Sequence, residues 1–205
     1  MILETVVVGP MQVNCYILAC AEAQEAVIID PGAEERKISR VLEKYRLKPA
    51  MVVNTHGHYD HIGCDDKFGV PVYVHKLDAA MLSDGKLNLS FFFALPYQVK
   101  ARLVEVADGQ VLQGAGISLQ AMHIPGHTPG GMAFLLQGPG QGAVFSGDTL
   151  FRGGIGRSDL AGGDGELLVK KIKEKLLVLP GETKVYPGHG PASTIAGEKK
   201  DNPFL

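Results

Sequence analysis

Cysteine is scarce in this 205-residue chain: Cys15, Cys20 and Cys64 are too few and too irregularly spaced for a disulfide scaffold. No Cys-x-x-Cys pair is present to hold a metal or exchange electrons, and the usage fits a reducing, cytoplasmic compartment. An excess of either charge is also missing, with 20 Lys+Arg against 22 Asp+Glu and a formal net charge of -2. Without a basic surplus nothing drives binding to a phosphate backbone, so no nucleic-acid partner is expected. No apolar run, Phe91 to Pro96 included, approaches the roughly 18 residues of a spanning helix, so no membrane partner is expected either. Met1-Ile2-Leu3-Glu4 has an acid where a secretory leader carries its basic region, which reads as mature protein. No Gly-x-Gly-x-x-Gly or Walker sequence opens a helix, leaving nucleotide binding without support.

What is present is apolar material and shaped turns. Hydrophobic residues make up 45% of the chain, enough to bury a large core without a disulfide framework or a structural metal, so a metal needs another reason to be there. Gly and Pro number 26 and 12, which puts many elements on tight connections. Leu3–Val8, Gln12–Ala19 and Ala26–Ile29 read as an antiparallel opening, rich in Val and Ile. In 33–46, Ile38, Val41, Leu42 and Tyr45 recur at helical spacing opposite a charged face. Strands at 51–54 and 70–74 follow, then a helix at 76–84 that Gly85 is expected to close in a left-handed conformation. Strands return at 102–106, 117–124, 132–136 and 143–146. Asp164 is placed to cap a helix carrying Leu168, Ile172 and Leu176, and a last strand runs 183–186. Strands and helices in this order suggest sheets packed on each other with helices outside, in one domain over 1–205.

Five of the seven histidines sit directly after apolar strands. Thr55-His56-Gly57-His58-Tyr59-Asp60-His61 offers four metal ligands within six residues. In extended chain the i and i+2 side chains share a side, so His56 and His58 can clasp one ion, while Asp60 and His61 fall beyond the turn and suit a second. His127 lies in the rigid turn Pro125-Gly126-His127-Thr128-Pro129-Gly130. Asp148 ends the strand 143–146, and a carboxylate can bridge two cations where an imidazole cannot. His189 follows the last strand. Five imidazoles and two carboxylates buried together without a cation would leave costly unpaired groups, whereas two divalent cations satisfy all seven. By contrast His75 and His123 lack such company and read as structural, Asp65 and Asp66 as surface charges, Cys64 as core, and Lys170 to Lys175 as a solvated face. Phe91 to Tyr97 reads as an apolar insertion, either packing into the core or lining a cleft entrance or subunit contact.

The run His56-x-His58-x-Asp60-His61, with His127, Asp148 and His189 in order, resembles the metallo-β-lactamase superfamily over nearly the whole chain. The resemblance implies an αββα sandwich, two mixed β-sheets packed face to face with helices on both outer faces. It also implies a first metal site of His56, His58 and His127 and a second of Asp60, His61 and His189, with Asp148 bridging. Asp30-Pro31-Gly32, the His127 turn, Gly147-Asp148-Thr149-Leu150-Phe151 and Pro187-Gly188-His189-Gly190 are similar to the glyoxalase II (hydroxyacylglutathione hydrolase) branch. Lactamases of the group often place Cys at the second site, whereas here the bridging position is Asp148. Gly156-Arg157 resembles the stretch that meets the glutathione part of the substrate, which makes Arg157 a substrate-binding candidate; full-length members of that branch also carry a helical C-terminal extension, whereas 16 residues follow His189 here, so no separate C-terminal helical substrate domain is expected.

The activity so implied is hydrolysis of a small-molecule thioester or ester by attack of a metal-bound hydroxide. Two divalent cations, Zn with Fe or Mn as alternatives, leave about one excess positive charge over two carboxylates and a hydroxide, favouring anionic intermediates. A water bound there has a pKa near ~7, and Asp60 orients it or shuttles its proton, with Asp148 the second catalytic carboxylate. The alternatives from the same pattern are a mononuclear iron persulfide dioxygenase using His56, His127 and Asp148, a lactonase or phosphodiesterase, and a non-catalytic metal-binding module. A monomer or homodimer is expected.

Overall fold

Two six-stranded sheets carry the molecule's organisation. The computed structural model describes residues 1–93, 96–138 and 142–205. In the first sheet β1 (Ile2–Val8), β2 (Val13–Ala19) and β3 (Glu25–Ile29) pair antiparallel, and β4 (Lys48–Val53), β5 (Val72–His75) and β6 (Leu103–Val106) follow in parallel. In the second, β7 (Val111–Gly114), β8 (Ile117–His123), β9 (Met132–Gln137) and β10 (Ala143–Gly147) form an antiparallel run. A small hairpin of β11 (Leu150–Phe151) and β12 (Gly154–Ile155) comes next. Then β13 (Lys184–Pro187) pairs parallel to β10, and β14 (Ser193–Thr194) closes that edge.

The layers follow from strands that are apolar on both faces. Along β2 every residue is buried: Tyr16 and Leu18 point between the sheets, while Cys15, Ile17 and Ala19 point outward under helix α1 (Glu35–Tyr45). Between the sheets, Tyr16, Val27, Ile29 and Val53 meet Leu119, Phe134, Leu136 and Phe145. On one outer face Ile38 and Leu42 of α1 cover Ile17, Ile28 and Val52. On the other, Leu168 of α4 (Gly165–Lys171), with Ile172 and Leu176 beyond it and Ile195 of α5 (Ile195–Asp201), covers Ala133, Val144 and Val185. This is the αββα sandwich. Burying each of the large side chains in these layers stabilises the fold by about 1.5–3 kcal/mol.

Local chemistry moves several boundaries from their expected places. α1 begins at Glu35 because Glu34 takes a left-handed conformation and turns its carboxylate to the Gly9 N–H at 2.9 Å. After the short α2 (Tyr59–Ile62), the helix expected over 76–84 contracts to α3 (Ala79–Ser83): Asp78 sends its carboxylate into the interior instead of along the helix, and Asp84 is extended, so Gly85 does not close it. Asp164 does cap α4, accepting from Leu167 N at 2.9 Å, and after Lys171 the turn widens so that Leu177 N donates to Ile172 O at 3.0 Å. Among the described residues no helix is long and apolar enough to cross a membrane.

The topology decides where loops meet. β3, β4 and β5 run parallel, so their C-terminal ends share one edge. β8 and β10 are both antiparallel to β9 and thus co-directional, and β13 is parallel to β10, so these three ends also share an edge. The six loops that follow carry Asp30, His56 to His61, Asp78, His127, Asp148 and His189.

Candidate metal centre

The ligand atoms of His56, His58 and His127 lie within 4.8 Å of one another, as do those of His56, His61 and Asp148, and those of Asp60, His61 and His189. All seven side chains singled out from the sequence as ligands therefore converge. His58 Nδ1 and His127 Nε2 are 3.0 Å apart. His189 Nε2 is 3.3 Å from Asp60 Oδ2 and 3.5 Å from Asp148 Oδ2. His61 Nε2 is 3.4 Å from Asp148 Oδ1 and 3.7 Å from Asp60 Oδ2, and His127 Nε2 is 3.7 Å from Asp148 Oδ2. One Asp148 oxygen thus faces His61 and the other faces His127 and His189, across both triads.

Outer partners fix which nitrogen of three of the rings faces inward. The Nδ1 of His61 donates to Asp30 Oδ2 at 2.9 Å, that of His127 to the Arg157 carbonyl at 2.7 Å, and that of His189 to the Met11 carbonyl at 2.9 Å. With the proton held outside, each Nε2 offers its lone pair to the centre. Asp30 also accepts from the Thr55 N–H and hydroxyl, both at 2.7 Å, anchoring the start of the histidine run. Asp78 ties that run to the His127 turn: it accepts from Gly57 N at 3.1 Å, Thr128 Oγ1 at 2.7 Å and Gly130 N at 2.6 Å. Two glycines admit the close approaches. A Cβ on Gly32 would lie 1.4 Å from the Asp60 carbonyl, and one on Gly188 would lie 2.2 Å from Asp148 Oδ1.

The electrostatics divide the rings into two kinds. Burial, reinforced by neighbouring rings, pushes His56 well below the ordinary imidazole range and His58 down to about 3, so both are neutral imidazoles at any working pH. For His61 burial opposes protonation, yet Asp148, Asp60 and Asp30 lift it well above that range. His189 is raised to about 9, its bonds to Asp148 and Asp60 outweighing burial. Burial would raise Asp148, but His61 and His189 hold it well below the carboxylate range. Without a cation, protons on His61 and His189 are what neutralise the two carboxylates.

Cations fit this donor set. Among the described residues His56 Nε2, His61 Nε2 and Asp148 Oδ1 are buried with no hydrogen-bond partner, and all belong to the convergent triads. Each such orphan costs about 1–3 kcal/mol unless something else satisfies it. Imidazole and carboxylate donors with no thiolate suit Zn, Fe or Mn.

The family profile described as Metallo-beta-lactamase superfamily matches residues 8–189. The chain belongs to the metallo-β-lactamase superfamily. It shares with that superfamily of metallo-hydrolases the His/Asp cluster that can hold metal. It is similar to the hydroxyacylglutathione hydrolase GloC of Haemophilus influenzae, 35% identical over 99% of this chain and 97% of that one. Among solved superfamily structures, it is similar to the BLEG-1 B3 metallo-beta-lactamase, with a TM-score of 0.91 and 36% identity over 100% of this chain and 99% of that one. It is also similar to TTHA1623 in a di-iron-bound form, with a TM-score of 0.86 and 38% identity over 98% of this chain and all of that one.

Superfamily membership leaves other residues to their own positions. The Arg157 guanidinium is exposed and forks onto Asp159 through two 2.7 Å bonds; only its backbone carbonyl touches the cluster. Asp65 is not a surface charge: it is fully buried and accepts from Asn54 Nδ2 at 3.2 Å, and burial raises its carboxyl well above the usual range. Asp66 accepts from the Lys100 and Ala101 N–H groups, both at 2.7 Å, and so shapes a loop. His75 and His123 stack with centroids 4.0 Å apart, across the ends of β5 and β8 and away from the ligands. Of the apolar insertion, Ala94 and Leu95 lie outside the described residues, while Phe91, Phe92 and Phe93 are exposed rather than core. Asp30 and Asp78 escaped the sequence reading as functional residues. Asp30 stood in a strand-end Asp-Pro-Gly motif that could have flagged it; Asp78 carried no local signal.

Proposed function

We propose that this chain is a dinuclear metal-dependent hydrolase that cleaves a thioester such as a hydroxyacylglutathione. The observation that carries the reading is Asp148, whose carboxylate lies between the two triads, Oδ2 facing His127 of one and His189 of the other while Oδ1 faces His61. A single-iron dioxygenase site would need only His56, His127 and Asp148, and would leave Asp60, His61 and His189 without a reason to converge. The names of two relatives support the reading: GloC is a hydroxyacylglutathione hydrolase, and TTHA1623 was solved with two irons.

His56, His58 and His127 would hold one cation, Asp60, His61 and His189 the other, and Asp148 would bridge. Such cations, Zn being favoured by the donor set and Fe or Mn alternatives, supply Lewis acidity and bring the pKa of a water down to near ~7. The chain's residues do the rest. Asp60, partly exposed and at the solvent side of His61, accepts a hydrogen bond from the attacking water and orients it toward the carbonyl carbon. Asp30 and the Met11 and Arg157 carbonyls keep three rings from rotating, so the site is preorganised before substrate arrives.

The test is turnover of the metal-analysed protein on S-lactoylglutathione, a simple acyl thioester, a lactone, a phosphodiester, a cephalosporin and glutathione persulfide. Thioester cleavage that chelation removes supports the reading. Oxygen uptake with persulfide and no thioester cleavage contradicts it.

A further inference from the structure

Beside Asp60 the structure opens a cavity of about 190 Å³. Val8 at the end of β1, Met11 from the turn after it, Ala33, Tyr59 and Phe93 form its walls, and Asp60 is the single charged residue that lines it among the described residues. Its mouth is apolar too: Met11 and Phe93 are 47% and 53% exposed, next to Phe92 at 75%. A soluble surface gains nothing by exposing large apolar side chains around an apolar hollow, unless something apolar is to enter.

The opposite side of the cluster is polar. There His127 rests on the Arg157 carbonyl, and the Arg157–Asp159 pair stands in solvent. A carbonyl compound lying across the centre therefore meets an apolar hollow on the Asp60 side and a charged, wet rim on the His127 side. The two carboxylates of a glutathione moiety find no cation in the hollow, so that half of a thioester belongs on the Arg157 side, and the acyl half on the Asp60 side. We infer that this pocket binds the acyl group of the substrate, and that the acyl group is an apolar chain of about six non-hydrogen atoms, by comparison with the ~30 Å³ that a water occupies in the liquid.

The inference rests on the hydrolase reading for its orientation, and deepens it by naming the acyl class. Hydrolysis breaks the carbonyl carbon–sulfur bond, water supplying the new carbon–oxygen bond and the proton that leaves on the thiol, so no other reactant is required.

The experiment measures kcat/KM for acetyl, butanoyl, hexanoyl and octanoyl thioesters of glutathione, on the wild type and on the rim variants Met11→Ser and Phe93→Ser. Burial of each methylene predicts a rise of about three- to fourfold, on the order of 100-fold from acetyl to hexanoyl, and little more at octanoyl. In both variants the hexanoyl-to-acetyl ratio falls; as a ratio within one preparation, it does not depend on how much of a variant is folded. A flat series in the wild type, or an undiminished ratio in both variants, overturns the inference. If no thioester is cleaved, the hydrolase reading fails, and binding of the inert ketones 2-butanone and 2-octanone, read from the Met11 methyl resonance, decides for the pocket. Octanone binding more than tenfold tighter sustains an apolar acyl site, and equal affinity ends it.

Discussion

The imidazole of His61 and the carboxylate of Asp30 are joined by a 2.9 Å hydrogen bond that is wholly buried, 31 residues apart in the chain. Asp30 itself sits in a left-handed conformation, which presents both its oxygens to the Thr55–His61 segment. The bond turns His61 Nε2 toward Asp148 and Asp60, and the geometry yields a prediction that separates charge from shape.

Asp30→Asn keeps the size and tolerates the same backbone conformation. Its amide oxygen can still accept from Thr55 N, but its NH2 would face the Nδ1 proton of His61. The ring is then expected to shift its proton to Nε2, the atom that should hold metal. Affinity for the second cation falls about 10- to 100-fold. Competition with a chelator of known strength measures it; an unchanged affinity contradicts the role assigned to Asp30.

Gly188→Ala places a methyl 2.2 Å from Asp148 Oδ1 and 2.7 Å from His61 Cε1. Asp148 must give way, so the bridge proposed for it is lost. We expect the metal-free variant to be less stable by about 1–3 kcal/mol, as for other over-packed sites. Metal content per chain should fall with turnover. Denaturant unfolding and elemental analysis of the same sample give both numbers.

The raised pKa of His189, about 9 in the metal-free fold, makes a stability prediction with a definite sign. In the unfolded chain an imidazole titrates near ~6.5, so the folded form binds the proton more tightly between those values. The contribution is complete below about pH 6.5 and is lost as pH rises through 9. Metal-free wild type should lose more Tm between pH 6.5 and 9.5 than metal-free His189→Ala does. Equal losses would show that His189 is not held charged by Asp60 and Asp148.

Phe134 is fully buried between the sheets, well away from the ligands. Phe134→Ala should cost about 3–5 kcal/mol by calorimetry or denaturant unfolding and leave the metal stoichiometry of the folded fraction unchanged. A change in stoichiometry would mean that core packing, not the outer hydrogen bonds, sets the ligand geometry.

The convergent cluster was legible because its chemistry is local. His56 and His58 share a side by virtue of extended spacing alone, and each remaining ligand follows an apolar strand. The layers were legible for a similar reason, since β2 and β4 end in continuous apolar runs that only a two-sided burial explains. Asp78 was not, because its partners Gly57, Thr128 and Gly130 are brought to it by the packing of two sheets and not by sequence spacing. The helix expected at 76–84 was overdrawn for the same cause. α5 was missed because Ile195-Ala196-Gly197-Glu198-Lys199-Lys200-Asp201 carries one large apolar residue; it is held by Thr194 capping Gly197 N and by buried Glu198, which accepts from Gly153 N. β7 was missed because four residues are too short for alternation to declare itself.

The most direct measurement is the number of divalent cations per chain in freshly purified, active wild type and in Asp148→Ala, by elemental analysis on protein of known concentration. The account predicts two in the wild type, and at most one in the variant with thioester turnover down by more than about 100-fold. Full wild-type activity with one cation or none, or an Asp148→Ala variant that keeps two cations and its rate, would contradict it.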